Sequence, residues 1–154
     1  MKTHIIRRAL LALGICSALN MQAQAPHPER IYLSGTGTDY TRTWEFYCSK
    51  GQNSGKWKSI EVPSCWELQG FGEYTYGRYY TIKGAKPSDE TGIYRYRFLT
   101  PDCEKNARSK LFFDGVMTDA EVWVNGKSAG QIHQGAFYRF SYDITSLLKA
   151  EGEN

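Results

Sequence analysis

The sequence has 154 residues, of which 41% are hydrophobic and 23% charged, with a formal net charge of +3 at pH 7. That length fits one domain on a prior of roughly 100–200 residues per domain, and the composition is that of an ordinary soluble globular chain. The charges are spread along the chain without a basic block, so neither nucleic acid nor an anionic membrane is an expected partner. The aromatic content is high, with 11 Tyr, 7 Phe and 4 Trp. Tyr and Trp pair an apolar face with a polar tip, which suits the mixed CH and OH surface of a sugar but equally suits cores and interfaces. For the set as a whole the structural reading is favoured.

Residues 1–25 read as an export signal. Lys2, Arg7 and Arg8 form a positive start, Ala9 to Leu19 is an apolar run too short for a permanent membrane anchor, and Ala23-Gln24-Ala25 offers small residues for cleavage. Pro26 after Ala25 is a poor cleavage context, which makes Ala23 the alternative point. Cys16 raises a lipoprotein alternative that ranks below simple export, because Ile15 is bulky where lipoprotein signals share a small residue. The protein is therefore expected to be periplasmic or secreted, with a mature domain over residues 26–154.

That domain holds Cys48, Cys65 and Cys103, an odd count that allows at most one internal disulfide and shows no CxxC spacing. Buried small hydrophobes are the expected role for them. His4, His27 and His133 are scattered, so no metal site and no cofactor are expected.

Residues 26–39 contain Pro, Gly and Thr, with a short strand expected at Ile31 to Leu33. Thr43 to Cys48 reads as a strand with Trp44 and Phe46 on one face, and Gly51 to Gly55 as a polar turn. Ile60-Glu61-Val62 ends a second strand at Pro63, which cannot donate to a ladder. Ser64 to Arg78 has three glycines and no periodicity, and reads as a long irregular loop of the kind that tends to carry function. Within it, Trp66 reads as a core plug rather than a sugar platform.

Lys83 to Glu90 is a polar crossing. Gly92 to Phe98 then alternates strictly, with Tyr94, Tyr96 and Phe98 predicted inward and Arg95 and Arg97 outward. Pro101 ends it. Lys110 to Asp114 is a shorter apolar strand stopped by Asp114-Gly115. Glu121-Val122-Trp123-Val124 is a strand with Val122 and Val124 on one face. Asn125-Gly126 directly after it tolerates the positive φ of a two-residue type I′ turn, so Lys127 to Gln131 should return antiparallel. Ala136, Tyr138, Phe140 and Tyr142 alternate as the aromatic inner face of another long strand, and Thr145 to Leu148 is a helical turn.

FDGV, AEVWVNGKSAG and FSYDITSLLKAEGEN, in this order and spacing, resemble the N-terminal sugar-binding jelly-roll domain of glycoside hydrolase family 2, which includes β-galactosidases, β-glucuronidases and β-mannosidases. VPSCWELQGFGEY and TGIYRYRF extend the resemblance upstream to about Trp44. It implies an all-β jelly-roll (galactose-binding-domain-like) β-sandwich, mostly antiparallel. In similar β-galactosidases the loop matching Ser64 to Arg78 carries an Asn that approaches the sugar in the catalytic pocket of another domain. Here that position holds Arg78, or Gly77 if the loop is one residue shorter, a departure that sets galactose specificity in question. The planar fork of Arg78 suits the carboxylate of a uronic acid, the alternative being a solvated surface charge. Glu73, Tyr76 and Arg78 are the implied substrate-binding residues.

Glycoside hydrolysis needs two carboxyl groups about 5–5.5 Å apart for retention or 6.5–9.5 Å for inversion. Asp114, Asp119 and Asp143 are better explained structurally, Asp143 as the cap of the following turn, so no catalytic residue is assigned. Phosphate loops, Ser-His-Asp arrangements and nucleotide fingerprints do not appear. The resemblance places the catalytic glutamates of a retaining enzyme in a later (β/α)8 barrel. The expected function is thus the non-catalytic N-terminal domain of an exported, β-galactosidase-like hydrolase, partnered by a β-glycoside or oligosaccharide and by a downstream barrel. A free-standing carbohydrate-binding module is the alternative, and a scaffold that only packs on a barrel the third. Residues after Asn154 are expected to complete the sandwich.

Overall fold

The computed structural model describes residues 28–73, 83–84, 89–102 and 107–154. The chain divides into two compact units, Met1–Ile31 and Tyr32–Asn154. Of the first, residues 28–31 are described; they are exposed and carry no regular structure.

The second unit opens with β1, Arg42–Cys48, and β2, Trp57–Val62. They pair antiparallel from Arg42↔Val62 to Tyr47↔Trp57, and β3, Gly92–Arg95, pairs antiparallel on the other side of β1. The sheet order is therefore β2-β1-β3. Alternation sorts its faces, since successive side chains point to opposite sides. Phe46, Cys48 and Ile60 turn inward and are almost fully buried, joined by Phe71 and covered by Trp44, Val62 and Trp66. Phe46 is the hub, with ring centroids of Tyr94, Phe71 and Trp66 at 4.6, 4.9 and 5.4 Å.

Three short antiparallel pairs and turns follow. Strand β4, Lys110–Phe113, pairs with β9, Phe140–Asp143; β5, Asp119–Ala120, with β8, His133–Gln134; and β6, Trp123–Val124, with β7, Lys127–Ser128. Between β6 and β7, Asn125 has φ 51° and Gly126 φ 77°, the two left-handed residues of the predicted Asn-Gly turn. The Asn125 amide also donates to the Leu147 carbonyl and to Asn154 Oδ1, both at 2.8 Å, tying the hairpin to the turn after β9. That turn closes through Leu147 N–H to the Ile144 carbonyl, and Asp143 caps it by accepting from the Thr145 N–H at 3.1 Å and hydroxyl at 2.6 Å. Among the described residues every strand pair is antiparallel and there is no α-helix, so the expected all-β class holds.

Several boundaries differ from expectation. Ile31 to Leu33 forms no strand; a Gly37↔Tyr40 bridge comes instead a few residues later. β3 stops at Arg95, although Tyr96 and Phe98 stay partly covered and Phe98 pairs with Asn154 through both backbone groups. The aromatic strand begins at Phe140, not Ala136, and Tyr138 is 70% exposed rather than inward. Its register explains this: residues 136–139 would face chain beyond Phe113, where β4 has already ended at Asp114-Gly115. Glu121 to Val124 is not one strand either, because Asp119–Ala120 and Trp123–Val124 pair with different partners. Of the cysteines, Cys48 is buried as expected but Cys65 is exposed, and both are free thiols; Cys103 lies outside the described residues.

Candidate functional site

The loop after β2 is more ordered at its base than a sequence without periodicity implies. Trp66–Gln69 is a 3₁₀ turn that ends at Gly70, whose φ of 80° is left-handed and whose N–H reaches the Glu67 carbonyl. Gln69 ties it to β2, its amide oxygen accepting from the Glu61 N–H at 3.0 Å and its NH₂ donating to the Glu61 carbonyl at 2.9 Å. Trp66 fills the space over Gly92, as the core-plug reading expects, and Phe71 is 5% exposed. Gly72 then exchanges both backbone hydrogen bonds with Gln52 at 3.0 Å.

Glu73 leaves this base exposed, its N–H donated to Glu90 Oε1 at 3.0 Å. The other two predicted substrate residues, Tyr76 and Arg78, lie outside the described residues.

A second constellation lies on the outer face of the β2-β1-β3 sheet. Arg95 grips Glu45 through Nε to Oε2 at 2.6 Å and Nη2 to Oε1 at 3.1 Å, while Arg97 Nη1 reaches Oε2 at 3.3 Å. The Arg95 guanidinium also sits 4.1 Å over the Trp57 ring, and Trp57 in turn packs on Tyr47 at 5.8 Å. The hydrogen bond from Arg95 holds the Glu45 carboxyl below its ordinary value of 4.5, despite some opposing desolvation. Thr43, Ser59 and Tyr96 complete a shallow groove of about 150 Å³. The alternation of β3 indicated the outward arginines; Glu45 and Trp57 as their partners were missed, though the same alternation on β1 and β2 puts both on that face.

On this face the charged side chains pair with one another. Glu45 is neutralised by two guanidinium groups, and the carboxylates considered from sequence are likewise engaged. Asp114 pairs with Arg139 at 2.7 Å, Asp119 accepts from Gln134 at 3.0 Å, and Asp143 caps its turn while pairing with Arg108 at 3.1 Å. Packing against Phe46 pushes the Tyr94 phenol up to about 12 by desolvation, although the residue keeps 38% of its surface exposed, and the hydrogen bond to Glu67 raises the Cys65 thiol, so neither is primed to ionise near neutrality. No three His, Cys, Asp or Glu residues are grouped to hold a metal ion among the described residues.

The described residues of this unit thus form an antiparallel all-β fold around an aromatic core. The family described as glycosyl hydrolases family 2, sugar binding domain, matches residues 38–154, and the chain belongs to it. Its relatives include a β-galactosidase of Alteromonas mediterranea, 34% identical over 104 residues that cover 64% of this chain and 10% of the relative. A β-galactosidase of Priestia megaterium is 36% identical over 109 residues, 64% of this chain and 10% of its own. One from Bacteroides ovatus is 28% identical over 125 residues, 76% of this chain and 14% of its own. The chain thus spans between 10% and 14% of the length of these relatives.

Proposed function

We propose that this chain is the N-terminal, non-catalytic sugar-binding domain of an exported enzyme that cleaves β-galactoside-like O-glycosidic bonds, with retention, in a separate barrel domain. The observation that carries this reading is the family match over residues 38–154, shared with β-galactosidases many times longer than the stretch they have in common with this chain. A jelly-roll strand order, cleavage of residues 1–25 and packing of residues 26–154 on the barrel belong to the same proposal. In it, Glu73, Tyr76 and Arg78 stand at the rim of the substrate pocket, supported by the rigid base of their loop at Trp66, Gln69 and Gly72.

The test is to express the whole protein and assay nitrophenyl β-glycosides. Turnover of the galactoside is expected, with none from the 154-residue chain alone. Arg78→Ala should change KM or sugar preference while moving stability by no more than about 0.5 kcal/mol, as exposed loop changes do. Unchanged kinetics would return Arg78 to a solvated charge. Mass spectrometry of the exported fraction should find a mature N-terminus after Ala23 or Ala25. A whole protein without turnover would hand the function to the free-standing carbohydrate-binding module.

A further inference from the structure

We infer that the segment Tyr32–Arg42 forms a carbohydrate-binding cleft for a neutral glycan chain, a subsite that shares no residue with the Glu73–Arg78 loop. The inference rests on the sugar-binding reading above and extends it. The cleft measures about 340 Å³, within the roughly 300–1,000 Å³ range of ligand sites, and is the larger of the two grooves described on this unit. Tyr32 and Tyr40 line it at 46% and 75% exposure; of its polar side chains Ser34 donates to the Gly35 carbonyl at 3.0 Å and Thr41 to Glu61 Oε2 at 2.7 Å, each hydroxyl oxygen keeping acceptor capacity, and Thr36 and Arg42 complete the lining. Among the described residues neither tyrosine has a ring partner or a hydrogen-bonded hydroxyl, so the fold makes no use of these two rings.

The segment is held open in a fixed shape. Gly35 N–H donates to the Val62 carbonyl at 3.0 Å, the Trp44 indole donates to the Leu33 carbonyl at 3.1 Å, and Thr36 N–H to the Tyr40 carbonyl at 2.9 Å closes a tight turn. A Cβ at Gly35 would fall 1.8 Å from the Tyr40 carbonyl oxygen, so only glycine lets the two arms approach this closely. Such preorganisation lowers the ordering cost of binding.

The lining selects the ligand's chemistry. Its lining residues include no carboxylate, the nearest being Glu61, which accepts from Thr41 at 2.7 Å, and its one cation, Arg42, is directed to the Tyr96 hydroxyl at 3.3 Å. Exposed phenol rings beside hydroxyl groups match a molecule with CH faces and OH edges, Arg42 being the one charged side chain of the lining. Position separates the two subsites. The cleft is at the Arg42↔Val62 end of β1 and β2, whereas Glu73 emerges at the Gln52–Gly72 end. The seven residues of β1 separate the two ends by about 20 Å at 3.3–3.4 Å per residue, too far for one monosaccharide to touch both.

Native electrophoresis of the whole protein in gels containing soluble β-galactan, xyloglucan or galactomannan tests this. Retardation by at least one neutral polysaccharide is expected. Tyr32→Ala and Tyr40→Ala should each weaken it about two- to tenfold, the worth of one aromatic contact, while Tyr40→Phe keeps the ring and the binding. Melting temperatures within about 2 °C of the parent certify that the variants are folded; if Tyr40→Ala fails that check, Tyr32→Ala decides. No retardation on any of the three, or retardation unaffected by both alanine variants, overturns the cleft. A protein that hydrolyses no β-glycoside but shows tyrosine-dependent retardation sinks the hydrolase and leaves the cleft standing.

Discussion

Gly92→Ala should damage this fold more than a single methyl usually does. Gly92 lies on β3 opposite Cys48, and a Cβ there would fall 1.8 Å from Trp66 Cζ3, 2.4 Å from Trp66 Cε3 and 2.8 Å from Phe46 Cε2. None of these neighbours is a flexible side-chain end. The Phe46 ring is fully buried between Trp66, Phe71 and Tyr94, so the methyl is accommodated by moving the indole or by shifting β3 on β1. Overpacking typically costs about 1–3 kcal/mol. Expelling the half-buried indole instead forfeits part of the roughly 1.5–3 kcal/mol that burying a large side chain is worth. Either route gives about 1–3 kcal/mol, a large share of a domain stability of about 5–15 kcal/mol. Urea unfolding followed by tryptophan emission suits the measurement because Trp44, Trp57 and Trp66 all flank this sheet. With m near 1–3 kcal/mol/M, the midpoint should fall by about 1 M. In the Trp66→Ala background the methyl has room, so the double-mutant cycle should return a coupling of about 1–3 kcal/mol. A midpoint within about 0.3 M of the parent, or additive effects of the two substitutions, would refute the plug-and-hole account of Trp66 and Gly92.

Glu45→Gln should destabilise the protein near neutrality and converge with the parent in acid. The Arg95 hydrogen bond lowers the folded carboxyl below 4.5, so its contribution is present above that value and is lost as pH falls through the lower, folded one; urea midpoints of both proteins across the acid range check this, and a constant gap at every pH would contradict it. Cys65 should alkylate slowly at neutral pH despite its exposure, because its thiol donates to Glu67 Oε2 at 2.9 Å and is thereby raised. Glu67→Gln should then speed iodoacetamide labelling of the Cys65 peptide, read by mass spectrometry, while Cys48 stays protected by burial; equal Cys65 rates in the two proteins would remove Glu67 from the account.

Local chemistry wrote much of this protein directly into its sequence. The period-two alternation of Thr43 to Cys48 and of Gly92 to Arg95 determines which residues turn inward, since the strand geometry leaves no other choice. The Asn125-Gly126 turn, the Asp143 cap and the end of β2 at Pro63 follow from the φ freedom, side-chain acceptor and missing donor of those residues. Only the tertiary structure decided what required long-range partners. Tyr138 stays in water because β4 ends before it can pair with residues 136–139, a matter of register between segments some 25 residues apart. Trp66 became a plug because Gly92, 26 positions later, leaves a hole on β3 that no local pattern reveals. Glu45 is held by two arginines about 50 residues away, and the Tyr32–Tyr40 cleft and the Glu73 loop stand at opposite ends of one sheet because Gly35 bonds to Val62 while Gly72 bonds to Gln52. Periodicity fixes which face a side chain takes, but the neighbour it meets there depends on how strands distant in sequence are aligned, and that is set by the packing of the whole.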